Sequence, residues 1–274
     1  MFARIAEVYR LTRKPKDLLW NRFVARPLAA VVLVPLERTS VTPNQVTLGT
    51  LVVFVASALL LALDGRWTGL LIGVGLLELA YVFDCVDGQL ARLRGMSTPI
   101  GAHLDFLMDE LKAFLLVAAV GVRLWRADGE VRWLLEGLLA LVAVASAISL
   151  TTFLRRPEYA AATGSVVGHG RGDYGQGFAG ADAPPVMANG APTASGVPAA
   201  SGPSAPPTEP RPALSPKRLV EMAGSFVVHY PSYIVFVAIF DRMDVFLHAY
   251  LLVNAAHVAR SLLGITWKLG RRAA

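Results

Sequence analysis

Apolar positions along this chain fall in long blocks instead of alternating with polar ones. Six blocks have about the 20-residue length that a bilayer core demands of a helix. They cover roughly 46–63, 68–90, 100–124, 133–154, 220–240 and 245–267. The predicted class is an all-α integral membrane protein, a bundle of six transmembrane helices. Between the blocks the connections alternate in character. DGRW (64–67), RADGEVR (126–132) and DRMD (241–244) are short. The other side of the bundle receives the N-terminus, the turn 92–99, a long segment 155–218 and the C-terminus.

Two stretches depart from the block pattern. Residues 1–41 carry eight Lys or Arg interleaved with apolar positions, as in MFARIAEVYRLTRKPKDLLWNRFVARPL. That mixture predicts one or two amphipathic helices lying in the membrane interface, basic face toward anionic headgroups. No cleavable leader is expected, because the apolar run 29–36 is short and ends on Glu37 and Arg38. Residues 157–216 are rich in Ala, Pro, Gly and Ser and lack the apolar periodicity needed to bury a core. The expected organisation is therefore an interfacial segment 1–41, four spans over 42–156, a disordered cytoplasmic loop 157–216, and two spans with a basic tail over 217–274.

Composition supports the membrane reading. The 274 residues are 54% hydrophobic and 17% charged, with a mean hydropathy of +0.51. The single cysteine, Cys85, excludes an internal disulfide framework. A net charge of +6 would fit nucleic acid, but its distribution assigns it elsewhere. Five basic residues fall on the short-loop side: Arg66, Arg123, Arg126, Arg132 and Arg242. Lys112 lies within a span, and the rest of the 26 fall on the other side. Basic residues mark the cytoplasmic face, so both termini are expected there, and nucleic acid is not needed.

The chemistry concentrates in DCVDGQLARLRGMSTPIGAHLDFLMDE, residues 84–110. At 100° per residue, Asp84, Asp87, Gly88 and Ala91 share one stripe at the end of the second span. Gly101, Asp105 and Asp109 share another at the start of the third. A short turn joins the two helices, so the stripes can face each other. Capping and contact with water would account for one or two of these aspartates. They do not account for Asp109, about two turns inside its span, where an acidic side chain costs on the order of 3 kcal/mol. Converging carboxylates repel unless protonated or neutralised. A divalent cation neutralises them, and oxygen-only ligands favour Mg²⁺ or Mn²⁺ over Zn²⁺. Four carboxylates suffice for two ions clamping a phosphate. Gly88, Ala91 and Gly101 keep the stripes open, and Arg92 places a fixed positive charge at the mouth.

The spacing D-x2-D-G-x2-A-R-x8-G-x3-D-x3-D, met by Asp84, Asp87, Gly88, Ala91, Arg92, Gly101, Asp105 and Asp109, resembles the signature of the CDP-alcohol phosphatidyltransferases. The six-span layout and TPNQVT at 42–47 are similar to that family as well. The resemblance implies displacement of CMP from a CDP-linked lipid, CDP-diacylglycerol for example, by an alcohol hydroxyl. It implies metal ligation by Asp84, Asp87 and Asp105. Asp109 would be the general base and touch the second metal. Gly88, Ala91, Arg92 and Gly101 would hold the CDP portion, with Asn44 and Thr42 lining the nucleotide site. It also implies a homodimer in a bacterial cytoplasmic membrane, with the active site facing the cytoplasm.

The motif says little about the acceptor. A phosphorylated polyol, inositol phosphate or glycerol 3-phosphate, leads; serine or an amino alcohol is the alternative. Lys112 would either bind an acceptor phosphate or pair with a motif aspartate or Glu78. Arg155, Arg156 and Arg260 are further candidates for that phosphate. His229, His248 and His257 stand singly in apolar blocks and form no ligand pair by spacing. A cation transporter using the aspartates is the competing class. It would place polar residues at mid-membrane in several spans, whereas here they cluster in one hairpin.

Overall fold

The structure is a computed structural model that describes residues 1–12, 18, 20–163, 226–227 and 229–270. Among these residues it is all-helical, without strands. Helix α1 spans Phe2–Thr12, and a π-helical turn over Asn21–Ala25 leads into α2, Arg26–Leu36. Four long helices follow: α3 Pro43–Leu63, α4 Trp67–Leu93, α5 Pro99–Asp128 and α6 Arg132–Leu154. A short helix α7 covers Pro157–Thr163, α8 covers Ile234–Ile239 and α9 covers Met243–Gly270.

Local chemistry sets the ends that matter for the site. Thr42 caps α3: its hydroxyl accepts from Gln45 N at 3.3 Å, and the Gln45 side chain accepts from Thr42 N at 2.9 Å. This reciprocal box, with Pro43 in the first turn, starts α3 before its apolar run begins. Helix α4 ends at a turn through Gly95, whose φ of +63° suits a residue without a side chain. Thr98 then caps α5 by accepting from Gly101 N at 3.1 Å. Gly129, at φ +77°, closes α5.

Helix α3 packs against α4 and α5, α5 against α6, and α6 against α9. Phe54, Leu61, Leu70, Leu77, Leu116, Val144, Phe246 and Tyr250 form the main core. A Cβ built on Gly121 would lie 3.1 Å from the Gly137 Cα, so α5 and α6 touch backbone to backbone there. A second core joins Val8, Ala29, Ala30 and Leu33 to Val82, Val86 and Leu90, seating α1 and α2 on the end of α4. At the opposite end the buried Arg123 donates to the carbonyls of Asp64 (2.7 Å) and Arg66 (3.4 Å).

Among the described residues three helices, α3, α4 and α6, are long and apolar enough to cross a membrane. Their outward faces expose large apolar side chains, among them Val52 and Leu59 on α3 and Leu135, Leu138 and Leu139 on α6. Helix α5, 30 residues long, carries Asp105, Asp109 and Lys112, and α9 has 28 residues. The stretch predicted as a fifth span is not one continuous helix where it is described. A 3-10 turn at Tyr230–Ser232 precedes the six-residue α8. Pro231 supplies no N–H to an i→i−4 ladder, so the ladder cannot run through it. Of the segment 157–216, residues 157–163 form α7, and 164–216 lie outside the described residues.

Candidate active site

The end of α4 and the start of α5 bring three of the four motif aspartates together. Asp84, Asp105 and Asp109 each offer a carboxylate oxygen, and these oxygens lie within 4.8 Å of one another. Each side chain is partly buried. Asp87 is outside this trio. It is buried against α3, where its Oδ2 accepts from Thr47 Oγ1 at 2.6 Å. The Thr47 hydroxyl has one proton to give, and a carboxylate at this distance is a stronger acceptor than the Pro43 carbonyl at 3.1 Å. The packing of α3 on α4 thus holds Asp87 in one rotamer.

Lys112 joins two members of the trio. Its ammonium contacts Asp84 Oδ1 and sits 2.6 Å from Asp109 Oδ1, bridging α4 and α5. Of the two readings open for this residue, the geometry shows the ion pair, and it involves two motif aspartates at once. One ammonium offers a single positive charge to three carboxylates. The remaining negative charge, the all-oxygen donor set and the close approach of the oxygens fit a hard divalent cation.

Around the trio, the other motif residues form the mouth. A Cβ on Gly88 would lie 3.4 Å from an Arg92 terminal nitrogen, so the guanidinium lies across this glycine. Arg92 Nε donates to the Thr12 carbonyl at 3.0 Å, fixing the end of α1 beside the site. A Cβ on Gly101 would meet Thr98 Oγ1 at 3.1 Å and Asn44 Oδ1 at 3.6 Å. Asn44 therefore stands against the start of α5, and Thr42 beside it is engaged in capping. Ala91 is half-buried on the same face. Arg155 and Arg156 are exposed at the end of α6, and Arg260 is exposed on α9. Arg156 lines a cavity of about 300 Å³ between α5 and α6, together with Glu110, Ser149 and Thr152. That cavity meets α5 at the residue following Asp109.

Three features escape the sequence reading. Thr47 was visible within TPNQVT, but its role depends on which face of α3 meets Asp87. Arg94 donates to the carbonyls of Val41 (2.5 Å), Leu36 (2.7 Å) and Thr39 (2.8 Å), clamping the loop that leads into Thr42 and Asn44. His229, read as solitary, belongs to a buried polar chain one turn before Asp84. The Tyr81 hydroxyl donates to Asn21 Oδ1 (2.5 Å) and therefore accepts from His229 Nε2 (2.8 Å). His229 Nδ1 then accepts from Ser232 Oγ (2.5 Å).

Comparison with known proteins agrees with the motif. Phosphatidylinositol phosphate synthase of Corynebacterium glutamicum is 34% identical over 110 residues, covering 39% of this chain and 44% of that protein. The bifunctional IPC transferase and DIPP synthase of Aquifex aeolicus is 29% identical over 103 residues, covering 38% of this chain and 23% of that protein. The chain thus spans less than half the length of these curated relatives. Residues 40–171 match the family model described as CDP-alcohol phosphatidyltransferase. The carboxylate trio, Asp87, Lys112 and the Arg92 mouth all lie inside those bounds, so the site falls within the part of the chain that matches the CDP-alcohol phosphatidyltransferase model.

Proposed function

We propose that this protein transfers a phosphatidyl group from a CDP-linked lipid, CDP-diacylglycerol in the first instance, to an alcohol hydroxyl and releases CMP. The observation that carries the reading is the convergence of Asp84, Asp105 and Asp109 within a family-matched domain. The acceptor is a phosphorylated polyol, inositol phosphate or glycerol 3-phosphate. The similarity to a phosphatidylinositol phosphate synthase supports this choice over serine or an amino alcohol.

In this reading Asp84, Asp87, Asp105 and Asp109 would hold two ions, Mg²⁺ or Mn²⁺, which when bound would supply the positive charge that neutralises the diphosphate and eases departure of CMP. The remaining work falls to the chain. Thr47 orients Asp87. Arg92, with Gly88, Ala91 and Gly101 leaving room, receives the CDP portion, and Asn44 and Thr42 line its nucleotide side. Asp109 takes the proton from the acceptor hydroxyl. The hydroxyl oxygen forms a new bond to the lipid-side phosphorus, and the bond to CMP breaks with its electron pair on CMP. Arg155, Arg156 and Arg260 are the acceptor-phosphate candidates, and of these Arg156 lines a cavity that reaches Glu110 on α5. Lys112 joins them only if it leaves its ion pairs.

The same proposal covers the membrane arrangement. Six spans cross a bacterial cytoplasmic membrane as a homodimer, with site and termini on the cytoplasmic side, as the distribution of basic residues supports. Helices α1 and α2 lie in the interface. Exposed Phe2, Leu11, Phe23 and Leu28, with Arg10 and Arg22, suit that position.

The test is CMP release from CDP-diacylglycerol by the detergent-purified protein. Glycerol 3-phosphate, inositol phosphate, inositol and serine are supplied separately, with Mg²⁺ or EDTA, beside Asp109→Asn. Metal-dependent release with a phosphorylated polyol, abolished in the variant, is expected. Release with serine alone would overturn the acceptor assignment, and EDTA-insensitive release would overturn the metal-dependent mechanism.

A further inference from the structure

Lys112 lies outside the eight-position motif yet touches two of its aspartates. It is 4% exposed, so bulk water contributes little to balancing the charge around it. It follows Asp109 by one helical turn, so its stem starts on the same face of α5 as that aspartate. Its partners come from two helices, Asp84 from α4 and Asp109 from α5. The ammonium therefore closes the α4–α5 hairpin as a cross-link would, and does so with positive charge.

A divalent ion on the same carboxylates needs the oxygens that the ammonium occupies. Two cations a few ångströms apart in a poorly hydrated site repel by an energy comparable to either binding interaction. We propose that Lys112 is a tethered counter-cation. It holds Asp84 and Asp109 together when no divalent ion is bound, and it is displaced from them when one binds, so it sets the metal affinity of the site. The inference rests on the metal-dependent reading above.

Two consequences follow from the tether. Being covalently attached, the ammonium competes at a high effective concentration. A monovalent ion brings no more charge than the group it must displace, so the site discriminates in favour of divalent ions. The carboxylates also stay close together without metal, because their mutual repulsion is already partly neutralised. Displacement unpairs Asp109, so the proposed base loses its ammonium partner only when the site is loaded.

The experiment compares wild type with Lys112→Met and Lys112→Gln, each purified with Mg²⁺ and then stripped with EDTA. Mn²⁺ binding is read from the electron paramagnetic resonance signal of the free ion, and stability from the melting curve in detergent. In both variants Mn²⁺ affinity should rise by about tenfold or more. The stripped variants should melt below stripped wild type, and saturating Mn²⁺ should bring the curves together. Unchanged or weaker Mn²⁺ affinity in the variants would overturn the proposal. So would variants that fail to fold even with Mn²⁺, because the ion must be able to replace the lysine. Should wild type show no Mn²⁺ binding that Asp105→Asn abolishes, the metal reading itself would fall.

Discussion

Replacing Thr47 with valine removes one hydroxyl and almost no volume. In the structure that hydroxyl gives its proton to Asp87 at 2.6 Å, and both residues are about 95% shielded from solvent. A hydrogen bond from a neutral donor to a carboxylate contributes about 2 kcal/mol when neither group can turn to water instead. If Asp87 is a metal ligand, the bond fixes its rotamer before the ion arrives, and its loss falls on binding. About 2 kcal/mol corresponds to about 30-fold in affinity, within the range usual for groups that orient metal ligands. Mn²⁺ titration of Thr47→Val should therefore show an affinity about 30-fold weaker, and the Mg²⁺ needed for half-maximal CMP release should rise in parallel. Thr47→Ser keeps the hydroxyl and should stay within about threefold of wild type. A folded Thr47→Val with wild-type metal affinity and turnover would refute the reasoning, leaving Asp87 either not a ligand or positioned by something else.

Two further substitutions test the scaffold. Gly121→Leu drives a side chain into the Gly137 backbone, 3.1 Å from where its Cβ would begin, and should lower the melting temperature in detergent by several degrees; Gly75→Ala, with nothing within 4 Å of its Cβ, should leave it unchanged. Arg123→Met strips the buried donor from the carbonyls of Asp64 and Arg66 and should cost about 2 kcal/mol of stability. At a permissive temperature it should leave turnover near wild type, because Arg123 lies at the far end of α5 from the aspartates.

The meeting of Asp84, Asp105 and Asp109 was legible because helical periodicity and a short connecting turn determine which side chains can meet, and both are written in one local stretch; Asp87, expected to converge with them, stands outside the trio. The pairing of Asp87 with Thr47 was not, since it requires the rotation of α3 against α4, which uniformly apolar helices leave open. Lys112 fell on the right stripe, but spacing alone cannot choose between a waiting phosphate ligand and an ion pair. Arg92 read as a fixed charge at the mouth, but what fixes it was not legible: its Nε donates to the Thr12 carbonyl, a contact set by how α1 lies on α4. The break at Pro231 had a signal in plain sight: apolar composition argued for a continuous span, and the proline argued against it. His229 pairs with Tyr81, whose hydroxyl in turn donates to Asn21, and both residues lie far from it in the chain, where no local window could connect them.

The Arg94 clamp has a consequence for how such a sequence can drift. Its three close acceptors are main-chain oxygens, and every residue type presents the same one. Leu36 and Val41 can be exchanged for other side chains without altering what the guanidinium recognises, provided the backbone keeps its path; Thr39 helps to keep it, its hydroxyl donating to the Leu36 carbonyl at 2.8 Å. The specificity of the loop entering the site is thus stored at a position more than fifty residues away, in one side chain whose planar fork a lysine cannot reproduce. Mutational tolerance in this region should be lopsided, permissive where the loop is and strict where it is held.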